Sequence, residues 1–359
     1  MKALVKRAPG PGIFLEDVPV PQIKSDEVLI QPLKTSICGT DIHIYKWDAW
    51  AQKTVPTPLV IGHEFMGKVV EVGSDVKNVS VGEKVSGEGH ITCGVCPNCL
   101  ANRSHLCPKT QVIGIHTHGC FADYFPLKAT NVFKIPEGVS DEVAAIFDPL
   151  GNAVHSALSF NLADRDVLIT GAGPIGIMAA GIAKHLGARN VIITDVNEVR
   201  LKLAKKMGAT ATVNVHKENL SNVMETLGIQ EGFAVALEMS GSPQALTQSL
   251  ETLQPGGKLG LLGLLPPGIS IDWNLVIFKM LTLKGIYGRQ VFKTWEQMAQ
   301  MLQEGLDVEP VVTHRYPIED FQKGFDVMMK GESGKVILEW VDEEAVGLEF
   351  EEEEEAQPA

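Results

Sequence analysis

The sequence contains no long apolar run, either near its start or further along the chain. A signal peptide needs an apolar segment of about 7–15 residues, and a membrane-spanning helix needs about 20. We therefore expect neither an export signal nor a membrane span. Positive charge is also scarce, because the net charge is −13, whereas nucleic acids and anionic membranes bind clustered lysine and arginine. The sequence predicts a cytoplasmic protein without a nucleic-acid or membrane partner.

Part of the negative charge is concentrated at one end of the chain. Six of the last eleven residues are glutamates. Such a run repels itself and contains little apolar surface to bury. We expect an acidic, disordered tail over residues 346–359 that increases solubility, and a functional acidic arm is the alternative.

The length of 359 residues favours two domains. Residues 1–150 contain short β-prone runs separated by turn residues, which indicates a barrel or sandwich. From residue 164 onward, strands alternate with helices, and six strand candidates predict a doubly wound parallel sheet of Rossmann type over residues 151–289. The strand candidate 335–340 comes after a predicted helix at 294–302. It has no pairing partner among the six predicted Rossmann strands. We expect residues 290–345 to return to the first domain and make it discontinuous.

Only two cysteines lie outside a single loop, which holds the other four in Cys-x2-Cys-x2-Cys-x7-Cys spacing. Four thiolates with no open coordination position are typical of a structural zinc site. Disulfides or scattered core thiols are the alternative, but such short spacings strain a disulfide and suit a metal. The pattern predicts a zinc lobe over about residues 88–110 with these ligands: Cys93, Cys96, Cys99 and Cys107.

A glycine-rich turn lies between the first predicted Rossmann strand and the helix after it. Gly171 suits the tight turn, Gly173 allows a pyrophosphate to approach the backbone, and Gly176 allows close packing of the helix. Asp195 ends the next strand, where its carboxylate should accept from the ribose hydroxyls of the adenosine, which favours NAD over NADP. Arg200, one helical turn further on, keeps an NADP interpretation open, and a glycine turn without a ligand is the other alternative.

Two short segments of the first domain carry residues of the types that bind zinc. Cys38, His63 and Glu64 supply a thiolate, an imidazole and a carboxylate, and they leave a coordination position open for an alcohol. Taken singly, a buried thiol or a core histidine would be the simpler interpretation. Thr40 and His43 lie close to Cys38 in the sequence and have the donor and acceptor groups of a proton relay.

The order of these motifs resembles that of zinc-dependent medium-chain dehydrogenases, over nearly the whole chain from residue 1 to about 340. Within that family the chain is most similar to bacterial L-threonine 3-dehydrogenases, in the strings 36–43, 47–53, 87–93, 147–155, 194–197 and 285–289. The resemblance implies a GroES-like barrel joined to a Rossmann domain, with one catalytic and one structural zinc. It also implies a homotetramer that oxidises L-threonine to 2-amino-3-oxobutanoate with NAD.

The resemblance also assigns roles to individual residues. It implies that Thr40 and His43 form the proton relay. Many relatives carry Glu or Cys at the position of Asp148, and this shorter side chain is expected to assist the relay or adjust the zinc without ligating it. Arg289 is a candidate for the substrate carboxylate, and His90 is expected to line the same cleft. The implied NAD contacts, besides the glycine turn, are Ile175, Asp195, Arg200, Leu262, Gly263, Leu264, Ile286 and Tyr287.

Two other functions stay open from the sequence. A dehydrogenase of polyols or vicinal diols, such as sorbitol or butanediol, would need no group to hold an ammonium or a carboxylate. A relative that binds NAD without catalysis would lack the reactive metal, and the loss of Cys38 or His63 would have supported it. Both residues are present, which favours an enzyme.

Overall fold

The computed structural model describes residues 1–340, and the chain divides into two compact units. Unit 1 holds Met1–Asp148, His314–Lys330 and the described residues from Lys335 onward, while unit 2 holds Pro149–Thr313 and Gly331–Gly334. The first unit is therefore discontinuous in the sequence. The predicted acidic tail lies outside the described residues.

The chain returns to unit 1 at His314 rather than at residue 290, where the sequence analysis placed the boundary. The difference arises from the helix Lys293–Gln303, which belongs to unit 2. Its buried face includes Trp295, Met298 and Met301. Because such a face must pack against an apolar partner, the helix stays with the unit in which those side chains are buried.

Unit 1 is built on a seven-stranded sheet in the order β10-β6-β5-β3-β18-β17, with β9 also paired to β3, and on a three-stranded sheet in the order β2-β1-β4. The long strand β3 carries two register shifts, beside Ile30 and beside Lys34, which allow it to bend and pair with β5, β9 and β18. Phe65 and Phe125 meet edge-to-face in the core at 4.7 Å between ring centroids. The strands are β1 Lys2–Lys6, β2 Phe14–Asp17, β3 Glu27–Ser36, β4 Leu59–Val60, β5 Phe65–Val72, β6 Lys84–Gly87, β7 His90–Ile91, β8 Gln111–Val112, β9 Phe125–Lys128, β10 Val132–Lys134, β17 Val312–Pro317 and β18 Lys335–Glu339.

Short helices connect these strands and carry several of the predicted site residues. The N-terminal helix α1 follows Cys38 directly, and the pair β7-β8 frames the four-cysteine loop. Helix α5 begins in unit 1 and continues into unit 2. The helices are α1 Gly39–Lys46, α2 Ala49–Thr54, α3 Pro97–Leu100, α4 Asp141–Ala145, α5 Phe147–Ala157 and, near the end of the described chain, α12 Phe321–Met329.

Unit 2 contains a six-stranded parallel sheet in the order β13-β12-β11-β14-β15-β16, which confirms the predicted Rossmann sheet and all six of its strands. The central strand β11 is buried along its whole length, because helices cover both faces of such a sheet. The strands are β11 Asp166–Thr170, β12 Asn190–Asp195, β13 Ala211–Asn214, β14 Phe233–Glu238, β15 Leu253–Leu261 and β16 Thr282–Gly285. The helices are α6 Pro174–His185, α7 Glu198–Lys206, α8 Leu220–Thr226, α9 Pro243–Thr252, α10 Trp273–Phe278 and α11 Lys293–Gln303.

Within residues 1–340, every helix is too short or too polar to cross a lipid bilayer.

Candidate active site

The two segments that carry the predicted catalytic zinc ligands lie side by side in unit 1. Cys38 follows β3 and forms the N-cap of α1, whereas His63 and Glu64 directly precede β5. The Ser36 N–H donates to the Glu64 carbonyl at 3.1 Å and joins the two segments. One ligand atom from each of Cys38, His63 and Glu64 lies within 4.8 Å of the other two. The structure therefore brings together the three residues that the sequence analysis selected.

Asp41, which the sequence analysis did not select, lies beside this group. Its Oδ2 accepts from the Cys38 N–H at 2.8 Å, and its Oδ1 is 3.9 Å from His63 Nδ1. Complete burial raises the pKa of Asp41 to about 6. Its position three residues after an N-cap was the available signal, because a side chain there can reach back to the N-cap amide. Asp41 therefore orients the Cys38 segment and places a carboxylate beside the His63 ring.

The chemistry of this group fits a bound cation. Burial disfavours the charged form of His63, but the negative charges of Cys38 and Asp41 outweigh it and raise the pKa of His63 to about 10. Glu64 Oε1, Asp41 Oδ1 and His63 Nδ1 are buried without a hydrogen-bond partner. Buried polar atoms of this kind are costly unless a ligand satisfies them. A thiolate, an imidazole and a carboxylate at this separation suit zinc.

Two of the predicted relay residues lie on α1, three residues apart and therefore on the same side of the helix. Thr40 Oγ1 is 3.6 Å from Cys38 Sγ. His43 Nδ1 pairs with Asp48 Oδ2 at 2.5 Å, and the His43 side chain is 59% exposed. Asp48 also caps α2 through its other oxygen. The chain thus places a hydroxyl beside the ligand thiol and a carboxylate-bound imidazole at the surface.

A second group in unit 1 contains Asp148, His90 and a further carboxylate. His90 Nδ1 pairs with Glu88 Oε1 at 2.7 Å, and the Glu88 side chain is fully buried. Ligand atoms of Glu88, His90 and Asp148 all lie within 4.8 Å of one another. The charge of Asp148 also helps to raise the pKa of His63, so this group adjoins the Cys38 group. The sequence analysis singled out His90 and Asp148 but not Glu88, whose spacing carried no signal.

The four-cysteine loop has the geometry of a closed metal site. One ligand atom from each of its four cysteines lies within 4.8 Å of the others, and the Cys93–Cys107 and Cys96–Cys99 sulfur atoms are each 3.5 Å apart. All six cysteines of the chain are free thiols. Backbone N–H groups of Cys93 and Lys109 donate to the Cys107 sulfur and hold the pKa of this thiol below its usual range. Such donors favour thiolates, the form that binds zinc.

The glycine turn of unit 2 lies at the carboxyl end of β11. Gly171 has φ of +98°, which favours glycine, and a Cβ at Gly176 would lie 2.0 Å from the Gly171 carbonyl oxygen. A Cβ at Gly173 would meet no atom within 4 Å, so space remains next to the N-terminus of α6. Asp195 Oδ2 accepts from the Ala172 N–H at 2.6 Å. The turn and the acid at the end of β12 therefore lie together, as a dinucleotide site requires.

The other predicted cofactor residues follow the carboxyl ends of β15 and β16. Glu238, at the end of β14, accepts from Leu262 and Gly263 with its carbonyl oxygen and from Gly241 with its side chain. Glu238 is fully buried and was missed by the sequence analysis, because a buried acid at a strand end has no motif of its own. The Ile286 N–H donates to the Leu261 carbonyl at 2.9 Å. Leu264 and Tyr287 expose 90% and 65% of their surface at the same edge of the sheet.

Comparison with known proteins identifies the family. Residues 24–137 match the alcohol dehydrogenase GroES-like domain, and residues 174–304 match the zinc-binding dehydrogenase family. An L-threonine 3-dehydrogenase of Protochlamydia amoebophila is 59% identical over 342 residues, covering 95% of this chain and all of that protein. The L-threonine 3-dehydrogenase of Escherichia coli K12 is 59% identical over 340 residues, with the same shares covered. The chain belongs to the zinc-dependent medium-chain dehydrogenase family.

A solved structure agrees with this assignment. Galactitol-1-phosphate dehydrogenase from Escherichia coli superposes with a TM-score of 0.87 at 29% identity, over 95% of this chain and all of that one. The predicted fold of a GroES-like domain with a Rossmann domain is thereby confirmed, as is the predicted class of alcohol oxidoreductase. The predicted similarity to L-threonine 3-dehydrogenases is confirmed by the relatives named above.

The remaining candidate residues of this dehydrogenase belong to unit 2. Arg289, proposed for the substrate carboxylate, lies in unit 2 and is 2% exposed. Its Nη1 donates to Asn152 Oδ1 at 3.2 Å, and its side chain passes 2.3 Å from the position of a Cβ at Gly151. Arg200 lies on α7 with its Nε buried, and Ile175 lies in the first turn of α6.

Proposed function

We propose that this dehydrogenase oxidises the 3-hydroxyl group of L-threonine to give 2-amino-3-oxobutanoate, on a route from threonine to glycine. The observation that carries the proposal is the identity of 58–59% to L-threonine 3-dehydrogenases along their whole length. The convergence of Cys38, His63 and Glu64 supplies the chemistry that an alcohol oxidation needs.

We propose two zinc ions for each chain. The catalytic ion would be held by Cys38, His63 and Glu64, and the structural ion by Cys93, Cys96, Cys99 and Cys107. The first set leaves a coordination position open and the second does not. A bound catalytic zinc would act as a Lewis acid that makes the substrate hydroxyl more acidic.

The side chains on α1 would carry the hydroxyl proton to solvent. Thr40 lies next to the ligand thiol and can pass a proton on, while Asp48 binds the Nδ1 side of the His43 ring. A ring held in this way keeps Nε2 available as an acceptor. Because His43 is 59% exposed, the proton can then leave to bulk water.

Asp148 would act on the Cys38 group without being one of its three ligands. The His90–Glu88 pair lies within 4.8 Å of Asp148, and Asp148 in turn influences the charge of His63. We infer that Asp148 assists the relay, with His90 lining the substrate pocket. Arg289 stays a candidate for the substrate carboxylate, although its guanidinium already donates to Asn152.

The hydride acceptor would be NAD. Asp195 is bound to the glycine turn through the Ala172 N–H, so its carboxylate stays at the end of β12. A 2′-phosphate would meet this negative charge, whereas ribose hydroxyls can donate to it. The carboxylate of Asp195 therefore favours NAD over NADP as the cofactor.

We also propose a cytoplasmic homotetramer. Free thiols in all six cysteines suit a reducing compartment. Exposed apolar side chains on and after α10 support an interface between chains: Ile277 is 64% exposed, Phe278 83% and Met280 81%. Light scattering of the purified protein should give the mass of four chains.

The experiment is an initial-rate comparison of L-threonine, sorbitol and 2,3-butanediol, each with NAD and with NADP, monitored by absorbance of the reduced cofactor. We expect threonine with NAD to give the highest kcat/KM. Faster turnover of either diol at equal concentration would contradict the substrate assignment, and faster turnover with NADP would contradict the cofactor assignment.

A further inference from the structure

The C-terminal strand β18 carries a lysine into the interior of unit 1. The Lys335 Nζ lies 2.5 Å from Glu64 Oε2, and it donates to the Ile37 carbonyl at 2.8 Å. Lys335 is 2% exposed and Glu64 1%. A buried ammonium is costly unless a carboxylate pairs with it, so this ion pair is held in place by its surroundings.

Lys335 connects both segments that carry the zinc ligands. Ile37 directly precedes Cys38, and its own N–H donates to the Val336 carbonyl at 3.0 Å. Glu64 directly follows His63. The ammonium therefore binds one group from each ligand segment, while β18 pairs with the end of β3 between Ile337 and Ser36.

The two oxygens of the Glu64 carboxylate are used differently. Oε2 is bound by Lys335, whereas Oε1 is buried without a hydrogen-bond partner. Stability alone does not explain this arrangement, because a buried ion pair is often no more stabilising than apolar residues in its place. It also does not explain why the second carboxylate oxygen is left without a hydrogen bond. The unsatisfied oxygen belongs to the residue whose carboxylate lies within 4.8 Å of Cys38 and His63.

We propose that Lys335 is a positioning residue that restricts Glu64 to binding zinc through one oxygen. The ammonium occupies Oε2 and draws electron density from the carboxylate, so Glu64 becomes a weaker donor and zinc keeps more of its Lewis acidity. This inference rests on the zinc site of the proposed function. It gives strand β18 a role at the zinc site, whereas none of the sequence motifs assigns a function to this strand.

The first test is Lys335→Met, measured as zinc affinity by competition with a colorimetric chelator at mildly alkaline pH, without substrate. Loss of the ammonium frees Oε2 and removes a positive charge near the metal, so zinc should bind about tenfold more tightly or more. Cobalt(II) loaded at the Cys38 site should show weaker visible absorption, because a second carboxylate oxygen raises its coordination number. Unchanged or weaker zinc binding would overturn the proposal.

Lys335→Arg tests the same role while the buried charge is kept. A guanidinium presents two donors to both carboxylate oxygens and competes with the metal for Oε1, so zinc should bind about tenfold more weakly. Equal or tighter zinc binding by this variant would contradict the proposal even if the methionine variant did not fold.

The matched control is Lys34→Met. Lys34 pairs with Glu339 at 3.0 Å between the same two strands, β3 and β18, and this ion pair includes no proposed zinc ligand. Its removal should change neither zinc affinity nor the cobalt spectrum. Because these measurements use no substrate, their failure would be distinct from a failure of the wild-type protein to oxidise threonine.

Discussion

At the scale of single residues, the proposed zinc site depends on side chains that contact the proposed ligands without being ligands themselves. Asp41 is fully buried, binds the Cys38 amide and lies 3.9 Å from the His63 ring. A carboxylate behind a ligand histidine fixes the ring and increases its donor strength. We therefore expect the geometry of the three proposed ligands to depend on Asp41, which is not itself a ligand.

Asp41→Asn keeps the shape of this side chain and removes its charge. We expect zinc affinity at the Cys38 site to fall by about 10–100-fold, with a parallel loss of activity at limiting zinc. Zinc titration followed by metal analysis would measure this. Asp272→Asn makes the same change of charge at the N-cap of α10, where an asparagine oxygen can still accept from the Asn274 N–H, and it should leave zinc affinity unchanged; equal losses in both variants would contradict the role of Asp41.

At the scale of elements, the glycine turn before α6 needs glycine at two positions for different reasons, one for folding and one for cofactor binding. Gly176 is required by the packing of α6 on its own turn, because a Cβ there would lie 2.0 Å from the Gly171 carbonyl oxygen. Gly173 has open space around its Cβ position and an ordinary φ of −68°. The protein fold therefore needs a glycine at position 176, whereas only a bound pyrophosphate needs one at position 173.

Gly173→Ala and Gly176→Ala should accordingly separate binding from folding. Gly173→Ala should weaken NAD binding by about tenfold or more with little change in the free energy of unfolding, because the methyl group occupies pyrophosphate space. Gly176→Ala should lower the free energy of unfolding by about 2 kcal/mol or more, since backbone must move. Calorimetry and denaturant unfolding would measure these effects, and equal stability losses would show that the turn serves folding alone.

Element type was predictable because periodicity is local. The six parallel strands and the helix near residue 294 follow from runs of apolar residues and their spacing. The end of the second domain was not predictable. The apolar residues Trp295 and Met298 give the same local sequence pattern whichever unit buries them. Only the packing of α11 decides that residues 290–313 belong to unit 2.

At the scale of the whole molecule, each proposed set of zinc ligands belongs to a different part of unit 1. The Cys38 group joins the ends of long strands with α1, whereas the four-cysteine group closes a loop framed by the two-residue strands β7 and β8. A lobe with so little core of its own needs its metal to stay folded. The reactive site is instead built on a sheet that has a core.

Cys38→Ser and Cys96→Ser should therefore fail in different ways. Cys38→Ser should lose turnover and one zinc per chain with Tm nearly unchanged, because the core around it remains. Cys96→Ser should open the lobe and lower Tm by several degrees, roughly the effect of 1–2 kcal/mol. Metal analysis and thermal unfolding would separate them. Identical behaviour of both variants would contradict the division into catalytic and structural zinc.

The sequence alone determined which residue types are available and in which local order. Cysteine spacing, the glycine turn with Asp195, and strand periodicity are short-range patterns, so they can be recognised without coordinates. The tertiary structure decided which distant residues meet: Lys335 on Glu64, Asp148 beside His90, and Asp41 beneath His63. These contacts depend on strand pairing and burial across up to 271 positions, and no local pattern encodes them.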